Sequence, residues 1–153
     1  MFTRIKRIFR SIRRQRRFRM YVMTVESPSE YTGNIYPKSL VERELTTRPY
    51  PFLMQFGGTD HVAYRGLYPG SDYPIFEIDI RHAAAHVLDF EFEGNDLYAM
   101  VEFMDTPAGN AAVDLVWKLG PDALRCAPIG DGNVTDCVVQ DDYRLVAFEL
   151  KLK

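Results

Sequence analysis

The stretch Asp105–Gly132, DTPAGNAAVDLVWKLGPDALRCAPIGDG, decides how the rest of the chain is read. Thr106 suits a helix N-cap, and Pro107 suits the first helical position, where its missing N–H costs nothing. Ala112, Val113, Val116 and Trp117 recur at helical spacing and form one apolar face that needs a sheet to cover it. Gly120-Pro121 ends the helix, which is expected over about 106–119. After it, Ala123 to Ala127 reads as a short strand, and Gly130-Asp131-Gly132 as a tight turn using glycine's freedom at positive φ.

Upstream of that helix, Ile75 to Ile80 (IFEIDI) and Val87 to Glu93 alternate apolar and acidic residues, the period-two mark of half-buried strands. Glu93-Gly94-Asn95-Asp96 is a hairpin turn that returns the chain through Leu97 to Met104. Nearer the N-terminus, Tyr21 to Val25 and Pro51 to Phe56 read as strands. Leu40, Val41 and Leu45 support a short helix over about 38–46, while Gly57 to Pro74, with His61, is loop-rich. Downstream, Asn133 to Gln140 and Tyr143 to Leu152 are expected to form a last hairpin around Asp141-Asp142, with Val146, Phe148, Leu150 and Leu152 sharing a face. The pattern predicts an α+β domain over 20–153, mostly antiparallel sheet or barrel with one main and one short helix.

A chain of 153 residues, 46% hydrophobic, is long enough for one domain with a real core. Two cysteines, Cys126 and Cys137, do not make a disulfide framework, so a reducing compartment is the default, although a bridge between them stays open. No apolar run approaches the roughly 20 residues of a membrane-spanning helix. The net charge of -2 hides an asymmetry: Arg4, Lys6, Arg7, Arg10, Arg13, Arg14, Arg16, Arg17 and Arg19 precede the first acid, Glu26. Residues 1–19, with Phe2, Ile5, Ile8, Phe9 and Ile12 at helical spacing, therefore read as a basic amphipathic or disordered arm. Its charge suits nucleic-acid phosphates, an anionic membrane or an acidic protein surface, and its lack of acids also fits a targeting segment.

The familiar chemical signatures are missing from the sequence. There is no phosphate-cradling glycine loop, no Ser-His-Asp set and no convincing pair of carboxylates. His82 and His86 at i, i+4 could share a helix face and hold zinc with Asp79 or His61, but the pair alone is too few ligands, so neither metal nor cofactor is predicted. Glu77, Asp79, Asp89, Glu91, Glu93 and Glu102 read as a solvated sheet face, or else as a receiver for a basic partner such as another copy's arm.

Two separated stretches resemble the prohead core (head maturation) proteases of tailed bacteriophages. Asn34-Ile35-Tyr36-Pro37-Lys38-Ser39-Leu40-Val41-Glu42-Arg43-Glu44 is similar to the family's early Asn-Gly-Arg-Ile-Tyr-Pro-Lys segment and following helix. His86 through Asp105-Thr106-Pro107-Ala108-Gly109 is similar to its histidine strand, hairpin and Thr-Pro-x-Gly helix start. The resemblance implies an assemblin-like barrel and a serine protease that cleaves scaffold and capsid precursors, with His86 at the general-base position. It also implies a nucleophile in a segment like Gly-Val-Ser-Ser-Arg-Gly, which falls over Arg125-Cys126-Ala127-Pro128-Ile129-Gly130. Ala127 and Pro128 stand at both serine positions, and no serine follows Ser71 anywhere in the chain. Cys126 is the nearby nucleophile, one residue out of step and so turned to the opposite strand face.

The sequence thus predicts a phage head or virion structural protein on a degenerate protease fold, in the virion or in the host cytoplasm during assembly. Its partners would be capsid or other virion proteins in multiple copies, and DNA or an acidic surface through residues 1–19. Two alternatives stay open: an active maturation protease using Cys126 and His86, and a nucleic-acid-binding accessory module.

Overall fold

The computed structural model describes residues 15–47, 52–57, 62–70 and 74–153. Arg4, Lys6, Arg7, Arg10, Arg13, Arg14 and His61 lie outside them. Among the described residues the chain forms α1 (Lys38–Thr47) and α2 (Pro107–Leu119) with strands β1 (Arg17–Thr24), β2 (Leu53–Phe56), β3 (Val62–Leu67), β4 (Pro74–Ile78), β5 (Ala83–Glu93), β6 (Asp96–Phe103), β7 (Leu124–Asp131), β8 (Val134–Thr135), β9 (Val138–Val139) and β10 (Arg144–Leu152). Six of these make one sheet in the order β1-β6-β5-β2-β10-β7, antiparallel except where β10 runs parallel to β2. The sheet curls into a half-barrel whose two edges, β1 and β7, approach one another without pairing. This is the mostly antiparallel α+β architecture the sequence predicts.

The inner face is apolar throughout. Leu97, Ala99, Val101 and Phe103 of β6 point inward with Met20 and Val22 of β1, Met54 of β2, Phe148 and Leu150 of β10 and Cys126 of β7. The two helices close the ends. The start of α2 sits against the start of β5: Thr106 Oγ1 donates to Ala83 O, Met104 N to Ala84 O and Ala108 N to Arg81 O. Thr106 also accepts from Gly109 N as the expected cap, and Pro107 holds the first helical position. Gly109 is required by packing: a Cβ there would lie 2.0 Å from Met104 O and 2.8 Å from Ala84 O. At the other end, α1 ties to the start of β10 through buried Glu44, which accepts from Leu145 N, and through Arg43, which donates to Tyr143 O.

Four sequence expectations change. β1 starts at Arg17, so Arg16, Arg17 and Arg19 belong to the folded body, and its sheet partner β6 is what extends it N-terminally. A strand, β3, forms where only loop was expected. Tyr143–Leu152 does not fold back on Asn133–Gln140; β10 pairs with β7 and β2, while β8 pairs with β9, whose Val138 also bridges Ile35. β10 is therefore an interior strand, with Leu145 through Leu150 all buried and a bulge at Val146 instead of clean alternation. Finally, Gly130-Asp131-Gly132 is no positive-φ turn, because β7 continues to Asp131. Those glycines make room for Tyr143, whose hydroxyl would lie 2.2 Å from a Cβ on Gly130.

Candidate functional site

The two strands to which the resemblance assigns chemistry are β5 and β7. On β5, Ala85 and Val87 face the core, so His86 between them faces outward. Its register partner on β6 is Glu102, whose Oε1 lies 3.9 Å from His86 Nε2. Arg17 of β1 reaches the same carboxylate, and its hydrogen bond holds the Glu102 pKa below the usual glutamate value. His86 thus belongs to an outer-face row, Arg17–Glu102–His86, that spans three strands.

On β7 the arrangement is reversed. Cys126 is 5% exposed and part of the apolar core, opposite Leu150 of β10. Burial pushes its thiol up to about 12, the direction that suppresses the nucleophilic thiolate. Ala127 alternates to the outer face, paired with Glu149, so the expected serine position carries a bare methyl group. Pro128 follows, and a proline in a ladder must aim its absent N–H at the strand's unpaired side, here the open edge. β2 and β10 lie between β5 and β7, so His86 and Cys126 are about 14 Å apart along the sheet and point to opposite faces. Proton transfer needs roughly 3 Å. The structure does not bring these residues together.

The open edges do enclose a groove of 310 Å³, between Tyr21–Thr24 of β1 and Leu124–Pro128 of β7. The 27–31 loop forms a wall, and it is clasped to β7 by Glu30, which accepts from Arg125 Nη1 at 2.6 Å. Lys151 lies over the Tyr31 ring at 4.8 Å, and burial raises the Tyr31 phenol. The sequence carries no sign of this groove, since a contact between residues 30 and 125 has no local trace.

The remaining candidates are dispersed. His82 lies in the turn before β5 and His86 on the strand, so i, i+4 spacing spans roughly 13 Å and no shared helix face exists. Asp79 is engaged by Arg81, whose hydrogen bonds lower its pKa. No group of three potential metal ligands occurs among the described residues. The arginines placed with the arm are held by the body: Arg16 donates to Phe103 O and Met104 O, Arg17 to Glu102, and Arg19 to Glu93 while stacking over Tyr98. Of the acids expected on a solvated sheet face, Glu93 and Glu102 receive arginines of β1, Glu77 receives Arg65 of β3 and Asp79 receives Arg81.

No family model and no curated protein matches the sequence. Among solved structures, the chain is similar to the capsid assembly protease gp21 of bacteriophage T4, with a TM-score of 0.62 over 88% of this chain and 80% of that one. The fold is prohead-protease-like. At 16% sequence identity the likeness carries the fold alone. No helix among the described residues is long and apolar enough to cross a membrane.

Proposed function

We propose that this protein is a non-enzymatic component of a phage head or its assembly intermediate, built on a protease fold whose chemistry has been lost. The observation that carries the reading is the state of β7: Ala127 and Pro128 stand at the serine positions, and Cys126 faces the core three strands from His86. An acyl-transfer protease needs a nucleophile within hydrogen-bond reach of its base and donors for the oxyanion. β7 brings no nucleophile to His86, and Pro128 removes one donor. The prohead-protease-like fold supports the head-assembly setting, with capsid or other virion proteins as partners.

The test is direct. Purified protein incubated with the scaffold and capsid precursors of its own phage is expected to leave them intact, and mass spectrometry of mature virions is expected to find it at stoichiometric copy number. Cleavage abolished by Cys126→Ala or His86→Ala would instead establish the active-protease reading.

For the N-terminal segment, we propose contact with packaged DNA or another polyanion through Arg4, Lys6, Arg7, Arg10, Arg13 and Arg14. Because Arg16, Arg17 and Arg19 are part of the folded body, the segment before it carries six cations rather than nine. The expected slope of log affinity against log salt on duplex DNA is then at most about −5, not about −8, and deletion of residues 1–14 flattens it. Unchanged binding after the deletion would remove that role.

A further inference from the structure

The outer face of β1, β6 and β5 is left uncovered by α1 and α2, and its composition is ordered in columns. β1 presents Arg17, Arg19 and Tyr21; β6 presents Tyr98, Met100 and Glu102; β5 presents His86, Leu88, Asp89, Glu91 and Glu93. One margin is basic, the centre is largely aromatic and apolar, and the other margin is acidic. Tyr21 is 45% exposed, Met100 39% and Leu88 43%, the last pushed out by the bulge between Val87 and Asp89. Exposed tyrosine, methionine and arginine grouped on one face are the composition of an interface centre rather than of ordinary surface.

We infer that this face packs against the same face of a second copy, about a two-fold axis parallel to β6. The geometry follows from register. Arg19, Met100 and Asp89 lie on one row across the three strands. A two-fold axis parallel to the strands keeps each residue at its own level but exchanges the margins. Arg19 then faces the second copy's Asp89, and Asp89 faces its Arg19, while Met100 meets its own counterpart at the axis. An axis across the strands would instead set the two basic margins against each other. Only the first arrangement sets a basic margin against an acidic one, as a closed isologous dimer requires, and the two Glu102 carboxylates that it brings to the axis are each neutralised by Arg17 of their own copy. The charged side chains remain accessible for this despite their internal pairs, Arg17 being 69% exposed, Arg19 42% and Glu93 57%. No ion pair involving Asp89 or Glu91 occurs among the described residues. Because the half-barrel's outer face is convex, contact centres on Tyr98 and Met100, with the charged margins setting orientation. This inference does not rest on the head-assembly reading.

The experiment uses the full chain in sedimentation velocity across a wide concentration range, with circular dichroism to verify folding. Wild-type protein is expected to dimerise reversibly. Arg19→Glu puts an acid at both ends of the Arg19–Met100–Asp89 row and Asp89→Arg a base at both ends, so each variant alone is expected to weaken the dimer by about tenfold or more. An equimolar mixture of the two regains it as the heterodimer, because both ends of that row then face the opposite charge. As a second route, Met100→Cys with Cys137→Ser is expected to oxidise to a disulfide-linked dimer across the axis. A protein monomeric at all concentrations, a dimer indifferent to both reversals, a mixture that fails to recover, or absence of the cross-link would overturn the inference.

Discussion

β5 and β7 lie in the same curled sheet, yet they hold their resemblance-assigned residues in opposite environments. His86 on β5 is a side chain at a water-accessible face, with a carboxylate beside it and room to change partners. Cys126 on β7 is locked among core side chains opposite Leu150, and its neutral thiol is the form that burial favours. Ala127, next to Cys126 in the chain but on the outer face, puts a methyl at a packed position where no hydrogen-bond partner is needed. Recruiting Cys126 as a substitute would require turning β7 by one residue and moving every core side chain it carries. His86 is thus free of packing constraint while Cys126 is fixed by it.

The largest expected effect tests whether the β5 side of this contrast is as firmly built as it looks. Gly109→Ala puts a methyl into the carbonyls of Met104 and Ala84, both backbone atoms that cannot swing away. It is expected to destabilise the protein by about 3 kcal/mol in urea unfolding, the upper range for overpacking. A change below about 1 kcal/mol would mean that the joint between α2 and β5 is looser than described.

Cys126→Ser sharpens the β7 side. It leaves volume nearly unchanged but buries a hydroxyl among apolar groups, at a cost of about 1–3 kcal/mol. In the native protein a thiol reagent should label exposed Cys137 quickly and Cys126 only after unfolding. Fast native labelling of Cys126 would break the contrast at its centre.

How much of this was legible differs along the chain for physical reasons. The helix over 107–119, its Thr106 cap and the Gly94-Asn95 hairpin are local, written in residues that contact their own neighbours, and they appear where the sequence predicts them. β10 was misread because a strand packed on both faces loses the alternation that reveals pairing, and its partners β2 and β7 are distant in sequence. Gly130 and Gly132 read as turn formers because sequence cannot distinguish a glycine chosen for its φ from one chosen for close approach, here to the ring of Tyr143 at Gly130 and to its backbone at Gly132. The arginines before Met20 read as a single cationic run, but the fold supplies acceptors that claim three of them: carbonyls of Phe103 and Met104 for Arg16, Glu102 of β6 for Arg17 and Glu93 of β5 for Arg19. At the candidate site, alternation alone placed Cys126 and Ala127 on opposite faces, but the three-strand separation of Cys126 from His86 depends on sheet order, which no local pattern encodes.

The smallest effects belong to the outer face of β5. His86→Ala should change stability by no more than about 0.5 kcal/mol, as expected of an exposed residue away from core and caps. Its neighbour gives a finer test. The Arg17 hydrogen bond holds the Glu102 pKa below that of a free glutamate, so the folded state binds that proton less readily than the unfolded chain. The resulting stabilisation is present above the unfolded value, near 4.3, and is lost as pH falls through the lower folded value. Glu102→Gln should therefore lower stability at neutral pH, have progressively less effect below about pH 4, and lose part of its effect in high salt, since the pair is exposed. An effect of Glu102→Gln that stays constant from neutral to acid pH would show that the Arg17–Glu102–His86 row is held by packing alone, and the electrostatic half of the contrast between β5 and β7 would fall with it.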